Sequence, residues 1–163
     1  MSKVDLSVKI GSLRLRNPIM LASGTVGYGN EISEFSNLNQ LGAIVTKSLS
    51  LKPRKGNPPQ RIVETPAGML NAIGLANVGV DEFLKEKIPF LKKYDVPLIC
   101  NIAASTVEEY VECTRILDSE ETIKAFEINV SCPNVKDGGL QFGNDKNAVG
   151  NVTAKVRAVT NKP

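Results

Sequence analysis

Four polar side chains stand at or just after the ends of four short apolar segments. Ser23 follows Ile-Met-Leu-Ala, Lys47 follows Ala-Ile-Val-Thr, Asn101 follows Pro-Leu-Ile-Cys and Asn129 follows Ala-Phe-Glu-Ile. All four can form hydrogen bonds, and no carboxylate lies within eight residues of Lys47 on either side. The set predicts a site for a polar ligand, and Lys47 favours an anionic or carbonyl-rich one. The alternative is that strands simply become polar where they leave a buried core.

Cys132 lies in the segment Ser-Cys-Pro-Asn, directly after the last of these apolar runs. A thiol acts as a base where its surroundings lower its pKa or where a bound substrate desolvates it to advantage. Cys100 and Cys113 fall inside a predicted strand and a predicted helix, so packing explains both. Spacing alone leaves Cys132 open between a reactive role and a packing role.

Glycines at positions 24, 27 and 29 occur in the segment Ala-Ser-Gly-Thr-Val-Gly-Tyr-Gly-Asn. They could let the backbone approach a cofactor closely, but the spacing is not that of the dinucleotide-binding glycine motif. The basic run Lys-Pro-Arg-Lys at 52–55 is better explained as a solvated turn than as a binding patch. Neither feature identifies a ligand by itself.

The composition and net charge of the chain argue against several classes of protein. The chain has 163 residues, a net charge of +3 and 5% aromatic residues, which disfavours a nucleic-acid or membrane-surface role. Three widely spaced cysteines and no histidine argue against a disulfide framework and a zinc site. The N-terminus lacks a signal-peptide core, and no stretch approaches the roughly 20 apolar residues of a membrane span. We therefore expect a cytoplasmic protein.

The elements that must position these residues begin with a hairpin and continue as alternating strands and helices. Residues 4–16 alternate apolar and polar side chains around Gly11-Ser12, which predicts the hairpin. The later apolar runs predict buried strands over residues 18–23, 43–48, 96–103 and 125–131.

Helical spacing fills the intervals between these strands. Asn30 is a candidate cap for a first helix, residues 80–94 are mostly helical with a break at Pro89, and residues 105–108 form a capping box for a third helix. The apolar faces are predicted from Ile32, Phe35 and Leu38; from Val107, Tyr110, Val111, Thr114 and Leu117; and from Val149, Val152, Val156 and Val159 in a fourth helix.

Near-continuous apolar strands that alternate with helices predict a parallel α/β sheet, either an open doubly wound sheet or a barrel. A (β/α)8 barrel typically needs about 250 residues, so one hairpin and four strand–helix units match its N-terminal half. We expect residues 1–163 to belong to a single barrel domain. Residues 49–79 interrupt the alternation of strands and helices. Such a long loop is expected to be functional or to carry small strands of its own.

Five stretches together resemble a known family, the class 1, B-type dihydroorotate dehydrogenases, over the N-terminal half of their catalytic flavin subunit. The segment Thr-Pro-Ala-Gly-Met-Leu-Asn-Ala-Ile-Gly-Leu is similar to the B-type rather than to the fumarate-using A-type. The cysteine of Ser-Cys-Pro-Asn is similar to class 1 rather than to the membrane-associated, quinone-using class. The matching stretches are residues 22–29, 42–48, 61–77, 101–106 and 127–143.

The resemblance implies an FMN-containing (β/α)8 barrel that oxidises dihydroorotate to orotate in pyrimidine (UMP) biosynthesis. It implies that Cys132 is the general base, which takes a proton from one ring carbon while the adjacent carbon gives hydride to the flavin. Lys47 would stabilise the reduced flavin by its charge. The positions that match FMN contacts are Ser23, Lys47, Ser48, Asn101 and Asn129. The positions that match substrate contacts are Lys47, Asn71, Ala72, Ile73, Gly74, Leu75, Asn129 and Asn134.

The resemblance also implies partners and leaves alternatives. The family pairs this subunit with a second protein that carries FAD and an iron–sulfur cluster and uses NAD, in a heterotetramer built on a homodimer of catalytic subunits. Ala104 departs from the family pattern, which has glycine there.

Two other functions remain as alternatives to dihydroorotate oxidation. One alternative is another FMN-barrel oxidoreductase of the dihydrouracil type. A second alternative is an inactive half-barrel fragment whose role is association.

Overall fold

The N-terminal hairpin forms where the alternation predicts it. In a computed structural model, which describes residues 4–131 and 142–163, strand β1 (Val8–Ile10) pairs antiparallel with strand β2 (Leu13–Leu15). Gly11 makes the turn with φ +57°, a conformation that glycine adopts without steric cost. Leu15 is fully buried and packs on one face of the main sheet, against Ala43, Val45, Ile99 and Ala125.

The main sheet has four parallel strands in the order β3-β4-β7-β8. Parallel pairing confirms the α/β prediction, and the strand bounds lie within or close to the predicted runs. The central strand β7 is buried at every position. The strands are β3 (Met20–Leu21), β4 (Ala43–Val45), β7 (Leu98–Ile102) and β8 (Ile123–Ile128).

The long segment between β4 and β7 carries its own small hairpin, as its length predicts. Strand β5 (Ile62–Thr65) pairs antiparallel with strand β6 (Gly68–Asn71), and both strands are exposed along their whole length. This hairpin is a separate two-stranded sheet. It projects from the connection rather than extending the main sheet.

Helices cover the outer face of the sheet. Helix α1 (Gly79–Glu82) runs through a π turn at Phe83–Lys87 into α2 (Ile88–Leu91). Pro89 lacks the N–H that an α-helix requires at that point, which explains why regular helix restarts there and confirms the predicted break. The two longer helices are α3 (Val107–Asp118) and α4 (Lys146–Arg157).

The helical spacing predicts the inner faces of the two longer helices in part, since Val111 is only half-buried and Val159 lies beyond the end of α4. On α3, Tyr110, Thr114 and Leu117 are buried, and on α4, Val152 and Val156 are buried. After α4 the chain returns to the sheet, where the backbone N–H of Phe126 in β8 donates to the carbonyl oxygen of Pro163 at 2.8 Å. Among the described residues, no helix is long and apolar enough to cross a membrane.

The capping box of α3 lies one residue later than predicted. Thr106, not Ser105, is the N-cap, and its side chain accepts a hydrogen bond from the backbone N–H of Glu109 at 3.2 Å. The Glu109 carboxylate in turn accepts from the backbone N–H of Ser105 at 2.8 Å. Both Ser-x-x-Glu and Thr-x-x-Glu fit the sequence here, so the pattern alone does not fix the register.

The predicted helix after Asn30 is wrong. Turns occupy this region, and a 3-10 helix (Leu38–Gln40) follows them, capped by Asn37. Phe35, expected on the inner face, is 83% exposed. The hydroxyl of Ser33 donates to the carbonyl oxygen of Asn30 at 3.0 Å, so a short polar side chain competes with helical pairing where the helix was to begin.

Candidate active site at the carboxyl ends of the strands

A cavity of about 390 Å³ opens where the parallel strands end. In parallel α/β folds this edge of the sheet is where ligands bind. The structure brings six of the sequence-predicted site residues into its lining, namely Ser23, Lys47, Ser48, Leu75, Asn101 and Asn129. Gly24, Ala76, Glu127, Ile128, Val130 and Ser131 complete the lining.

Lys47 reaches the cavity because it continues the alternation of β4. Val45 packs on the inner face of the sheet and Ile44 on the helix side, so Lys47 projects inward beyond the end of the strand. Its backbone N–H donates to the carbonyl oxygen of Gly27 at 2.8 Å, which fixes the chain at this point. Within residues 4–131 and 142–163, no carboxylate forms an ion pair with its ammonium group. A half-buried cation in this position favours an anionic or carbonyl-bearing ligand.

Asn101 presents a buried amide at the same wall. Its backbone N–H donates to the hydroxyl of Thr46 at 3.1 Å, and its side-chain amide nitrogen donates to the carboxylate of Glu127. Its side-chain oxygen is buried and finds no hydrogen-bond partner among the described residues. An unpaired buried acceptor is costly, so a ligand that brings an N–H or O–H donor would relieve it.

Asn129 is held by four described neighbours, one of which is Ile102, whose carbonyl oxygen accepts from the Asn129 backbone N–H at 2.8 Å. Its amide nitrogen donates to the hydroxyl of Ser48 at 3.1 Å, and its amide oxygen accepts from the backbone N–H of Ser131 at 3.2 Å. The phenol of Tyr110, on α3, donates to the Asn129 carbonyl oxygen at 2.6 Å. The end of β8 is therefore fastened both to the segment after β4 and to the helix behind it.

The glycine-rich segment before β4 borders the cavity at one point. Gly24 lies in the lining with φ +83°, and a Cβ added there would meet no atom within 4 Å. Neighbouring Ser23 is half-buried. The backbone is therefore open to a ligand here, as the glycine content suggested.

The predicted substrate segment is only partly at the cavity. Leu75 lines it, whereas Asn71, Ala72, Ile73 and Gly74 are not among the lining residues. Asn71 is exposed at the end of β6. Their substrate roles therefore stay predictions. Cys132 and Asn134 lie outside the described residues, so the predicted base and the second predicted asparagine have no structural description.

The other two cysteines are buried in the core. Burial raises the pKa of the Cys113 thiol from an ordinary 9.0 to about 12, and burial raises the pKa of the Cys100 thiol further. Both thiols stay protonated at neutral pH, where only the thiolate is reactive. Their burial agrees with the packing role predicted for them.

Glu127 is a lining residue that the sequence reasoning missed. With Lys47 it makes up the charged part of the cavity wall within the described residues. Its position two residues before Asn129 places it on the same face of β8, and that period of two was the available signal. Its bond to Asn101 joins two strands and is visible only in three dimensions.

A family model described as dihydroorotate dehydrogenase matches residues 5–163. The chain belongs to the dihydroorotate dehydrogenase family. The catalytic subunit of dihydroorotate dehydrogenase B (NAD(+)) from Geotalea daltonii is 55% identical over 100% of this chain and 53% of its own length. The corresponding subunit from Geobacter sulfurreducens is 56% identical over the same shares. The chain thus spans about half the length of the curated relatives it matches.

A solved structure shows the same fold. The crystal structure of the dihydroorotate dehydrogenase from Eimeria tenella in complex with ferulenol matches 94% of this chain and 43% of its own chain, with a TM-score of 0.72 and 20% identity. At that identity the likeness establishes the fold alone. Together with the four parallel strands, it confirms the (β/α)8 barrel prediction, of which this chain covers a part.

Proposed function

We propose that this chain is the N-terminal half of a single FMN-binding barrel domain that oxidises dihydroorotate to orotate. The observation that carries the proposal is the cavity at the strand ends, where two fixed amides converge with a cation that no described carboxylate pairs. Membership of the dihydroorotate dehydrogenase family supports the choice of substrate. The names of the relatives, catalytic subunits of the B (NAD(+)) type, support the choice of subtype.

The cavity wall fits a flavin ring. Such a ring offers N–H and carbonyl groups along one edge, and the buried Asn101 oxygen needs a donor. Ser23, Ser48 and Asn129 add further polar groups, and the open backbone at Gly24 leaves room for a flat ring. Lys47 is the one cation that the described lining contains, so the phosphate group is expected to bind elsewhere in the domain.

The reaction removes two hydrogens from adjacent ring carbons of dihydroorotate. Cys132 takes the proton from one carbon, and a carbon–carbon double bond forms as the other carbon loses hydride. The bound flavin supplies the chemistry of hydride acceptance. Lys47 provides a fixed positive charge where negative charge develops, in a site partly shielded from water.

Substrate orientation is assigned to amide side chains and to the loop at Leu75. Dihydroorotate carries one carboxylate and two ring amides, so it needs donors and acceptors together. Asparagine supplies both from a single side chain, which suits Asn71, Asn129 and Asn134 to this role. Ala72, Ile73, Gly74 and Leu75 would contribute backbone contacts.

Electrons leave through a partner in this proposal. A second subunit that carries FAD and an iron–sulfur cluster passes them to NAD, and two catalytic subunits form the dimer at the centre of a heterotetramer. The B (NAD(+)) naming of the relatives supports an NAD-linked acceptor. A cytoplasmic location goes with this function and stays a prediction.

Comparing two reductants tests the choice of substrate. Dihydroorotate and dihydrouracil differ by the carboxylate, which Lys47 and the asparagines are proposed to recognise. We expect turnover with dihydroorotate and at least ~100-fold lower kcat/KM with dihydrouracil, since a site built for a charged group discriminates strongly against its absence. Preference for dihydrouracil would instead support the alternative pyrimidine oxidoreductase.

A further inference from the structure

Leu75 holds an unusual backbone conformation at the cavity wall. Its φ is +57°, and within the described residues it is the non-glycine residue with positive φ. Residues with a Cβ rarely adopt this left-handed region, because the side chain crowds the following carbonyl group. Such a conformation persists where the surroundings impose it. The contacts of neighbouring residues show what holds Leu75 in this conformation.

Asn77 makes the contacts that hold this turn. Its amide nitrogen donates to the Leu75 carbonyl oxygen at 2.8 Å and to the hydroxyl of Ser50 at 2.8 Å. Its amide oxygen accepts from the backbone N–H of Gly79 at 2.9 Å and from that of Ser50 at 3.1 Å. Asn77 is 8% exposed, so its bonds to Ser50 and Gly79 are shielded from water, and its bond to Leu75 is partly shielded.

These bonds connect two walls of the cavity. Ser50 lies at the start of the long connection between β4 and β7, just after Lys47 and Ser48, and Leu75 lies later in the same connection. The backbones of Arg54 and Asn77 pair as an antiparallel bridge beside this contact. Asn77 therefore fixes the distance between the Leu75 wall and the Lys47 wall.

The chemistry of the contact requires an amide. A carboxylate at position 77 would keep both backbone bonds to its oxygen, but it cannot donate to the Leu75 carbonyl. Two acceptor oxygens would then face each other in a partly buried place, which is unfavourable. Asparagine is the side chain of this size that can accept from the two backbone N–H groups and also donate to the Leu75 carbonyl oxygen.

We propose that Asn77 is a positioning residue, which holds Leu75 in its left-handed conformation so that the loop wall meets the substrate. This inference rests on the proposed function and deepens it, because it assigns substrate affinity to a residue outside the cavity lining. Asn77 acts through Leu75 and does not touch the ligand.

Replacement by aspartate tests the role in the purified holoenzyme. In N77D we expect KM for dihydroorotate and Kd for orotate to rise ~10-fold or more, the size expected when a buried hydrogen bond is lost and an acceptor is left unpaired. We expect kcat and the flavin content to change much less. Loss of flavin and of thermal stability, with no separate change in KM, would show a merely structural role and would overturn the proposal.

Asn17 offers a matched control. Its amide oxygen also accepts from the backbone N–H two residues ahead, Ile19, at 3.0 Å, and its amide nitrogen donates to the Gln40 carbonyl oxygen at 2.8 Å. It lies before β3, at the opposite end of the sheet from the cavity. N17D makes the same chemical change there, and we expect it to leave KM unchanged.

The substitution Leu75→Gly distinguishes loss of the Asn77–Leu75 hydrogen bond from other effects of placing aspartate at position 77. Glycine adopts φ +57° without the penalty, so N77D should raise KM by less than ~3-fold when L75G is already present. An N77D effect of equal size in both backgrounds would overturn the proposal.

Hydrogen exchange keeps this inference distinct from the proposed function. If the parent enzyme neither oxidises dihydroorotate nor binds orotate, the proposed function fails. The Asn77 contact still predicts faster exchange of the Ala72 and Asn77 backbone amides in N77D than in N17D. Unchanged exchange in N77D would overturn the positioning role, whatever the substrate.

Discussion

Lys47 is the side chain that gives the cavity its charge preference. It is half-buried, it continues the inward face of β4, and no described carboxylate pairs with it. Asn101 and Asn129, at the ends of the next two strands along the sheet, add amides whose orientations are fixed by Glu127 and Ser48. This combination suits a planar ligand with alternating donors and acceptors better than a metal ion, since Lys47 would repel a cation.

Removing the Lys47 charge is expected to impair turnover. K47A should lower kcat with dihydroorotate by about 100-fold or more, the cost typical of losing one group that stabilises developing charge. K47R should retain part of the activity, because it keeps the charge in a different geometry. K9A, on exposed β1, is the control and should behave as the parent. Parent-like kcat in K47A would contradict the role given to Lys47.

Replacing the proposed base is expected to slow proton removal. C132S should lower turnover at neutral pH by about 100-fold or more, because a serine hydroxyl is a far weaker acid than a thiol. Activity should partly return as pH rises. Cys113→Ala serves as the control, because that thiol is buried in the core away from the cavity. Full turnover of C132S at neutral pH would show that Cys132 is not the base.

At the scale of elements, α3 supports the site through Tyr110, whose phenol holds the end of β8. The helix begins at a capping box formed by Thr106 and Glu109. Its inner face carries Cys113, whose thiol is buried under the sheet. Both features can be tested through stability rather than activity.

The register of the cap predicts unequal effects of two neighbouring substitutions. T106A should lower the free energy of unfolding by about 1 kcal/mol, because the Glu109 N–H loses its partner. S105A removes a hydroxyl that, within the described part of the chain, accepts from the Arg54 side chain at 3.1 Å, and this change should cost less. Denaturant unfolding of both variants measures the difference. A larger loss for S105A would favour the register predicted from the sequence.

Cys113 predicts a loss of stability in alkali. Its pKa is raised in the folded chain from 9.0 to about 12, so the folded protein keeps the proton over a range where the unfolded chain releases it. The stabilisation is complete below pH 9 and is lost as pH rises toward 12. Unfolding midpoints of the parent should therefore fall more steeply than those of C113A between pH ~8 and ~10.5. Parallel slopes would contradict this.

Some elements could be predicted from sequence, and the failures have physical causes. Lys47, Asn101 and Asn129 were placed correctly at the cavity because strand alternation and the common edge of a parallel sheet fix such positions. The helix after Asn30 failed because apolar spacing ignores competing side-chain bonds such as that of Ser33. The left-handed backbone of Leu75 and its hydrogen bond to Asn77 depend on tertiary contacts, which a local sequence pattern does not reveal.

At the scale of the whole molecule, the described sheet is one side of a barrel. Strands β3 and β8 form its two edges, and the Pro163 carbonyl already occupies a pairing position beside β8. Glu127 lies on that same edge strand and Asn129 directly follows it, so a further strand beside β8 would enclose the cavity. Closure by such a strand would exclude water and strengthen the Lys47 charge.

An anaerobic visible spectrum of the purified protein, recorded before and after adding dihydroorotate, tests the proposed reaction most directly. We predict a bound flavin whose absorbance near ~450 nm bleaches stoichiometrically, because the cavity at the strand ends is proposed to hold flavin and substrate together. A bound flavin that dihydroorotate leaves oxidised, or a protein that takes up no FMN, would contradict it.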